Sequence, residues 1–218
     1  MSQLRTFPSN PLRISACLRW MTTLMWCWGL AHHAFGQSIE WRETPRYTTL
    51  DDARAARAAG QPIYRLDLTK QRLRVLPDDI TEWSEVREVI LDRNKLRVID
   101  TDLSRWTELV VFSAESNELE AFPTSLLRWR NLEQLRLGDN QIDSIPLNID
   151  RLHHLKELSL WSNVISHYPA SLGDLKTLEL LDLQYNDMTA EEQDLLQSWL
   201  PERVRVNLSP PCRCEFDE

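Results

Sequence analysis

Glycine is scarce in this chain, with five in 218 residues, and two of these, Gly29 and Gly36, lie in the first 36. A phosphate cradle needs clustered glycines that let the backbone approach the anion, so a phosphate-binding loop is excluded. Basic charge is also short: 25 Lys and Arg stand against 33 Asp and Glu, a formal charge of -8. The first 36 residues hold Arg5, Arg13 and Arg19 and no acid, so the remainder carries 22 basic and 33 acidic groups, or -11. Nucleic acid and anionic membrane surfaces both reward clustered cations, and this balance fits neither. Of four cysteines, only Cys212 and Cys214 lie beyond the first 36 residues. Two thiolates do not complete a zinc site, which takes about four ligands, and His153, His154 and His167 lie far from them along the chain. There is no nucleophile elbow and no H-E-x-x-H, so no catalytic residue and no cofactor are expected.

The amino terminus has the order of an export signal. Three arginines precede an apolar run from Trp20 to Ala31, which is too short to cross a hydrocarbon core about 30 Å thick. Ala34-Phe35-Gly36 supplies a small-x-small cleavage site. Residues 1–36 read as a signal peptide cut near Gly36/Gln37, leaving a periplasmic or secreted chain with no membrane insertion. Outside the cytoplasm Cys212 and Cys214 could form a disulfide, although partners two apart close a strained ring. A strained bridge, an intermolecular bridge and free thiols all remain open, and thiol-redox work by this tail is the rival reading of function.

What the chain has in abundance is a period. Ile63, Leu66, Leu68, Gln71, Leu73, Leu76, Pro77, Ile80 and Trp83 recur every 23 residues through five copies, and a sixth opens with Leu178, Leu181, Leu183, Asn186 and Met188. A fixed period of this size marks a solenoid. Alternation in L-x-L marks a half-buried strand, and stacked copies place those strands side by side as a parallel sheet. Pro77, Pro123, Pro146 and Pro169 disfavour a long helix in each return, since proline lacks an N–H donor. The returns are therefore expected to be extended, with 3₁₀ or helical turns. The column Gln71, Asn94, Asn117, Asn140, Asn163 and Asn186 is expected to be structural, each amide pairing with backbone of its own and the neighbouring turn. Trp83, Trp106 and Trp129 share one repeat position and read as core on the convex side.

Both ends carry capping signals. Thr49 can cap a helix over Leu50–Ala59, with Asp51 and Asp52 in its first turn and Gly60 after it. Thr189-Ala-Glu-Glu192 is a capping box for a helix over Ala190–Leu200, and Val204–Leu208 alternates as a last strand. The expected division is a signal peptide (1–36), an amino-terminal segment with capping helix (37–62), six repeats (63–188), a carboxyl-terminal cap (189–208) and a tail (209–218).

With this pattern the chain resembles leucine-rich-repeat proteins of the 23-residue, L-P-containing type, and its order is similar to secreted bacterial members. Asp100 in place of proline, Ala114 in place of leucine and Gln71 in place of asparagine depart from the pattern. The resemblance implies an α/β solenoid: a right-handed curved stack, parallel sheet on the concave face, extended or 3₁₀ returns on the convex face, and helical caps. It also implies protein or ligand binding on the concave sheet; the expected ligand is a protein, peptide or envelope component, and the chain is expected to be a monomer.

Two rows of that face can be read off: Asp67, Ile90, Ser113, Arg136, Ser159, Asp182, and Thr69, Asp92, Glu115, Gly138, Trp161, Gln184. Trp161 is expected to stand in solvent beside Gly138, with Arg136 and Tyr185 one repeat away on either side. Trp, Tyr and Arg are enriched at binding hot spots. Ile90, Val111 and Leu180 are expected to add exposed apolar area.

Overall fold

The computed structural model describes residues 40–99 and 102–211. The expected signal peptide (1–36), Cys212 and Cys214 lie outside the described residues. The chain divides into Met1–Glu40 and Trp41–Glu218, and the second unit holds the repeats.

That unit is built on one eight-stranded sheet in sequential order, every neighbouring pair parallel. The strands are β1 (Arg46–Tyr47), β2 (Arg65–Asp67), β3 (Glu88–Ile90), β4 (Val111–Ser113), β5 (Gln134–Arg136), β6 (Glu157–Ser159), β7 (Leu180–Asp182) and β8 (Arg205–Asn207). From β2 to β7 the register keeps the sequence period, so Leu66, Val89, Phe112, Leu135, Leu158 and Leu181 lie side by side. All six side chains point inward and are essentially inaccessible. The residues on either side of each point outward, as the pleat requires.

Returns between strands are short turns. Asp78–Thr81 forms one helical turn, and Thr124–Arg128, Ile149–Arg151 and Ala170–Asp174 are 3₁₀. Proline precedes three of these four turns directly, at 77, 123 and 169, with extended backbone. Trp106 and Trp129 fill the space between sheet and returns. Their indole N–H groups donate to the carbonyls of Ile80 (3.1 Å) and Leu103 (3.3 Å) in the preceding return. The ring centroids of Trp129 and Phe112 are 5.1 Å apart, so aromatic packing ties return to sheet.

The asparagine column is a hydrogen-bond ladder. Asn140 Nδ2 donates to the carbonyls of Leu137 (3.0 Å) and Gly138 (3.1 Å) in its own turn and Ala114 (3.0 Å) in the preceding one. Its Oδ1 accepts from the N–H of Leu119 at 3.0 Å. Asn94, Asn117, Asn163 and Asn186 make the same set. Gln71 differs: it is exposed and donates to Thr48 O at 3.3 Å.

A second column accompanies the first. The residue before each amide, namely Lys70, Arg93, Ser116, Asp139, Ser162 and Tyr185, has φ between 52° and 61°. Left-handed backbone costs an L-residue roughly 1–2 kcal/mol, yet none of these is glycine. Each of the first five donates its N–H to a carbonyl of the next repeat, from Lys70 to Asp92 through Ser162 to Gln184. Tyr185, the last, donates instead to Ser209 Oγ at 2.7 Å.

Helices flank the stack. Leu50–Ala58 is capped by Thr49, whose hydroxyl accepts from Asp52 N at 3.1 Å, and it buries Ala53. Ala190–Trp199 opens on a reciprocal box between Thr189 and Glu192 and buries Leu196. The strand β1 has no counterpart in the sequence reading, because its partner Leu66 lies 19 residues beyond Tyr47, outside the period.

Candidate functional site

The outward face of the sheet carries a connected set of oriented polar groups. Asp92, just after β3, accepts from Ser113 Oγ (2.6 Å) and Glu115 N (2.9 Å) at one oxygen. Glu115, after β4, accepts from Trp161 Nε1 at 3.1 Å and from Ser159 Oγ at 3.4 Å. Trp161 therefore reaches back over two repeats. It crosses Gly138 so closely that a Cβ at 138 would fall 2.1 Å from the indole nitrogen.

Arg136 on β5 is locked to Glu157 on β6, with Nε to Oε1 at 2.7 Å and Nη2 to Oε2 at 3.1 Å. That bidentate pair holds its guanidinium above the usual value, against the burial that opposes the charge. Glu157, Glu115 and Asp92 add attraction. The patch is thus a half-buried indole ringed by Asp92, Glu115 and Glu157 and one internally paired arginine. Its fixed acceptors suit a ligand that brings N–H or cationic groups.

Several side chains are not where the sequence reading put them. Trp161 does not stand in solvent: it is half-buried, because the glycine flank is filled by its own ring. Val111 is not exposed apolar area, since only 8% of it is accessible. Ile90 and Leu180 are half-buried on the outward face. Tyr185 is 70% exposed, but it sits in the left-handed turn after β7, whereas the Trp161 ring is directed towards β4. Of the expected triad, Trp161 and Arg136 share the patch with Glu115, Ser159, Asp92 and Ser113, while Tyr185 sits in the turn after β7. All four added residues lie in the rows legible from the repeat; the signal for Glu115 was that it shares a row with Trp161, with Gly138 between them.

A second concavity lies on the return side near the carboxyl-terminal helix, lined by Ile145, Leu147, Tyr168, Pro169, Leu195 and Trp199. Its lining is mostly apolar, with Ser166, His167 and Glu192 also on it and Ser166 Oγ 2.9 Å from His167 Nδ1. Among the described residues no set of three or more His, Cys, Asp and Glu is arranged to hold a metal, and no helix is long and apolar enough to cross a membrane.

Comparison with known proteins gives consistent results. A family model described as leucine rich repeat matches residues 130–188. A leucine-rich-repeat protein of Leptospira interrogans is 26% identical, with a TM-score of 0.59 over 78% of this chain and 49% of that one. The leucine-rich-repeat ectodomain of a membrane receptor kinase from Arabidopsis thaliana, solved with Casparian strip integrity factor 2, is 32% identical. Its TM-score is 0.55 over 67% of this chain and 18% of that chain. A plant peptide hormone receptor in complex with RGF2 is 24% identical, with a TM-score of 0.54 over 68% and 23% of the two chains, a likeness of fold alone. The chain spans about half or less of the length of each of these solved structures. No curated protein matches it by sequence.

Proposed function

We infer that this chain, which is a leucine-rich-repeat protein, works as a non-catalytic, exported interaction module that binds a protein or peptide on its strand face. The observation that carries the reading is the Trp161–Glu115 bond across Gly138, with Asp92 and Arg136 beside it. An aromatic anchor flanked by fixed acceptors is the composition of a binding hot spot. Oriented carboxylates favour a ligand with a basic side chain or free N–H groups. The receptor ectodomain solved with Casparian strip integrity factor 2 supports a peptide or protein ligand for a fold of this kind. Export rests on the leader and predicts an amino terminus near Gln37 in protein recovered outside the cytoplasm.

The test begins with peptides selected from a random display library on the full chain, assayed against face and non-face variants. Trp161→Ala should weaken binding by about 2 kcal/mol or more, roughly thirtyfold. Leu147→Ala, on the return side, should leave affinity within twofold. Equal losses from both would place the binding surface elsewhere.

A further inference from the structure

The strand face is not open along its whole length. A 3₁₀ turn, Trp41–Glu43, and Thr44 after it are anchored at β2 and at the residue before β5. The turn is closed by Thr44, whose N–H and hydroxyl both donate to Trp41 O, and the Arg42 guanidinium stacks 4.5 Å from the Trp41 ring centroid. Arg65 on β2 donates through Nη1 to the backbone carbonyls of Arg42 and Thr44. Arg42 in turn reaches Glu133, the residue before β5, at 3.9 Å.

Between those anchors lie β3 and β4, so the contact spans three strand spacings, about 14 Å. The outward residues of β4 are Val111 and Ser113, and Val111 is the apolar one. It is only 8% exposed, yet it stands outside the buried cluster that holds every other equally buried hydrophobic residue among those described. A valine buried on the wrong side of a sheet needs a cover, and β4, which carries it, lies between the two strands that the segment joins through Arg65 and Glu133.

We propose that Trp41–Thr44 is a tethered peptide seated in a peptide site on β2–β5, and that a ligand for this half of the face enters by displacing it. Arg65 takes main-chain carbonyls, Glu133 takes a basic side chain, and Val111 is the apolar floor. The ligand class is an unfolded peptide segment with an arginine or lysine placed as Arg42 is. This inference rests on the strand face as the binding face. A short tether holds its peptide at an effective concentration in the millimolar range, so a competing ligand needs affinity well beyond that of the segment itself.

The experiment uses the full chain with Val111→Cys as a reporter, its alkylation rate followed by mass spectrometry of the peptide containing residue 111. Against this background, Arg42→Glu, alone and with Trp41→Ala, should speed labelling at least tenfold while the thermal midpoint of each variant confirms folding. A synthetic peptide of residues 38–45 at millimolar concentration should restore protection to the loosened variants. The same peptide with glutamate in place of its arginine should not. An unchanged labelling rate on loosening, or protection by both peptides alike, would overturn the proposal. The readout needs no natural partner, so its failure removes the tether while the Trp161 test of the face stands separately.

Discussion

The indole of Trp161 takes the space that a side chain on Gly138 would need, its Nε1 2.1 Å from where a Cβ would stand. The glycine and the tryptophan, one repeat apart, are therefore a matched pair across two strands. Gly138→Ala should expel the ring, since an indole on an open face can rotate away where backbone could not. The expected cost in stability is about 1 kcal/mol for the lost bond to Glu115. The loss in peptide affinity should approach that of Trp161→Ala. Indole N–H resonances and the affinity of selected peptides check both.

Asn140 and Gln71 occupy the same repeat position with opposite consequences. Replacing Asn140 by Ala removes four bonds and strands the N–H of Leu119 in a buried turn, a loss of about 1–3 kcal/mol or more. Gln71→Ala removes one exposed bond and should fall within about 0.5 kcal/mol of the wild type. Denaturant midpoints of the two variants should differ in that order.

The tryptophans divide in the same way. Trp106 is wholly buried and its N–H satisfies the carbonyl of Ile80, so Trp106→Ala should cost about 3–5 kcal/mol. Trp161→Ala should cost far less in thermal stability and more in binding. If the two variants melt together, the assignment of faces is wrong.

Arg54 and Asp79 tie the first helix to the first return, with contacts of 2.7 and 2.8 Å. The hydrogen bond from Arg54 holds the Asp79 carboxyl below its usual value, against a smaller effect of burial. A lowered value in the folded state means a contribution fully present above the ordinary aspartate value of about 3.9 and lost as pH falls through the lowered one. Because the pair is largely exposed, its effect on stability should be small and salt-sensitive. In Arg54→Ala the Asp79 carboxyl titration, followed by NMR, should move back up towards 3.9.

The period made the sheet legible because the inward column is apolar without exception from Leu66 to Leu181, and hydrophobic spacing alone sets the register. It also made the rows of the outward face legible, including Glu115 and Trp161. It could not show how those side chains lean, since that depends on what fills the gap at Gly138. Nor could it show β1 or the turn at Trp41, which precede the first copy of the repeat and carry none of its residues. Val111, expected to be exposed, is only 8% accessible. The left-handed column was silent because its residues carry no common chemistry: Lys, Arg, Ser, Asp, Ser and Tyr are held there by the asparagine that follows or, at Lys70, by bonds to the next repeat.

The left-handed column also has a direction. Each turn hands its N–H forward to a carbonyl of the next repeat, until Tyr185 hands its own to the hydroxyl of Ser209. Ser209 is in this sense a terminator, closing a series that would otherwise call for another copy. A chain built so can change length in whole units and in no other step. Excising one full period from the middle, such as residues 117–139, returns every donor to an equivalent acceptor, whereas removing one residue fewer shifts all later strands by one and turns their inward side chains to water. A unit added after Asn207 would bring an acceptor for which no donor waits, because the Tyr185 N–H is already taken by Ser209, so growth or loss by duplication belongs to the interior.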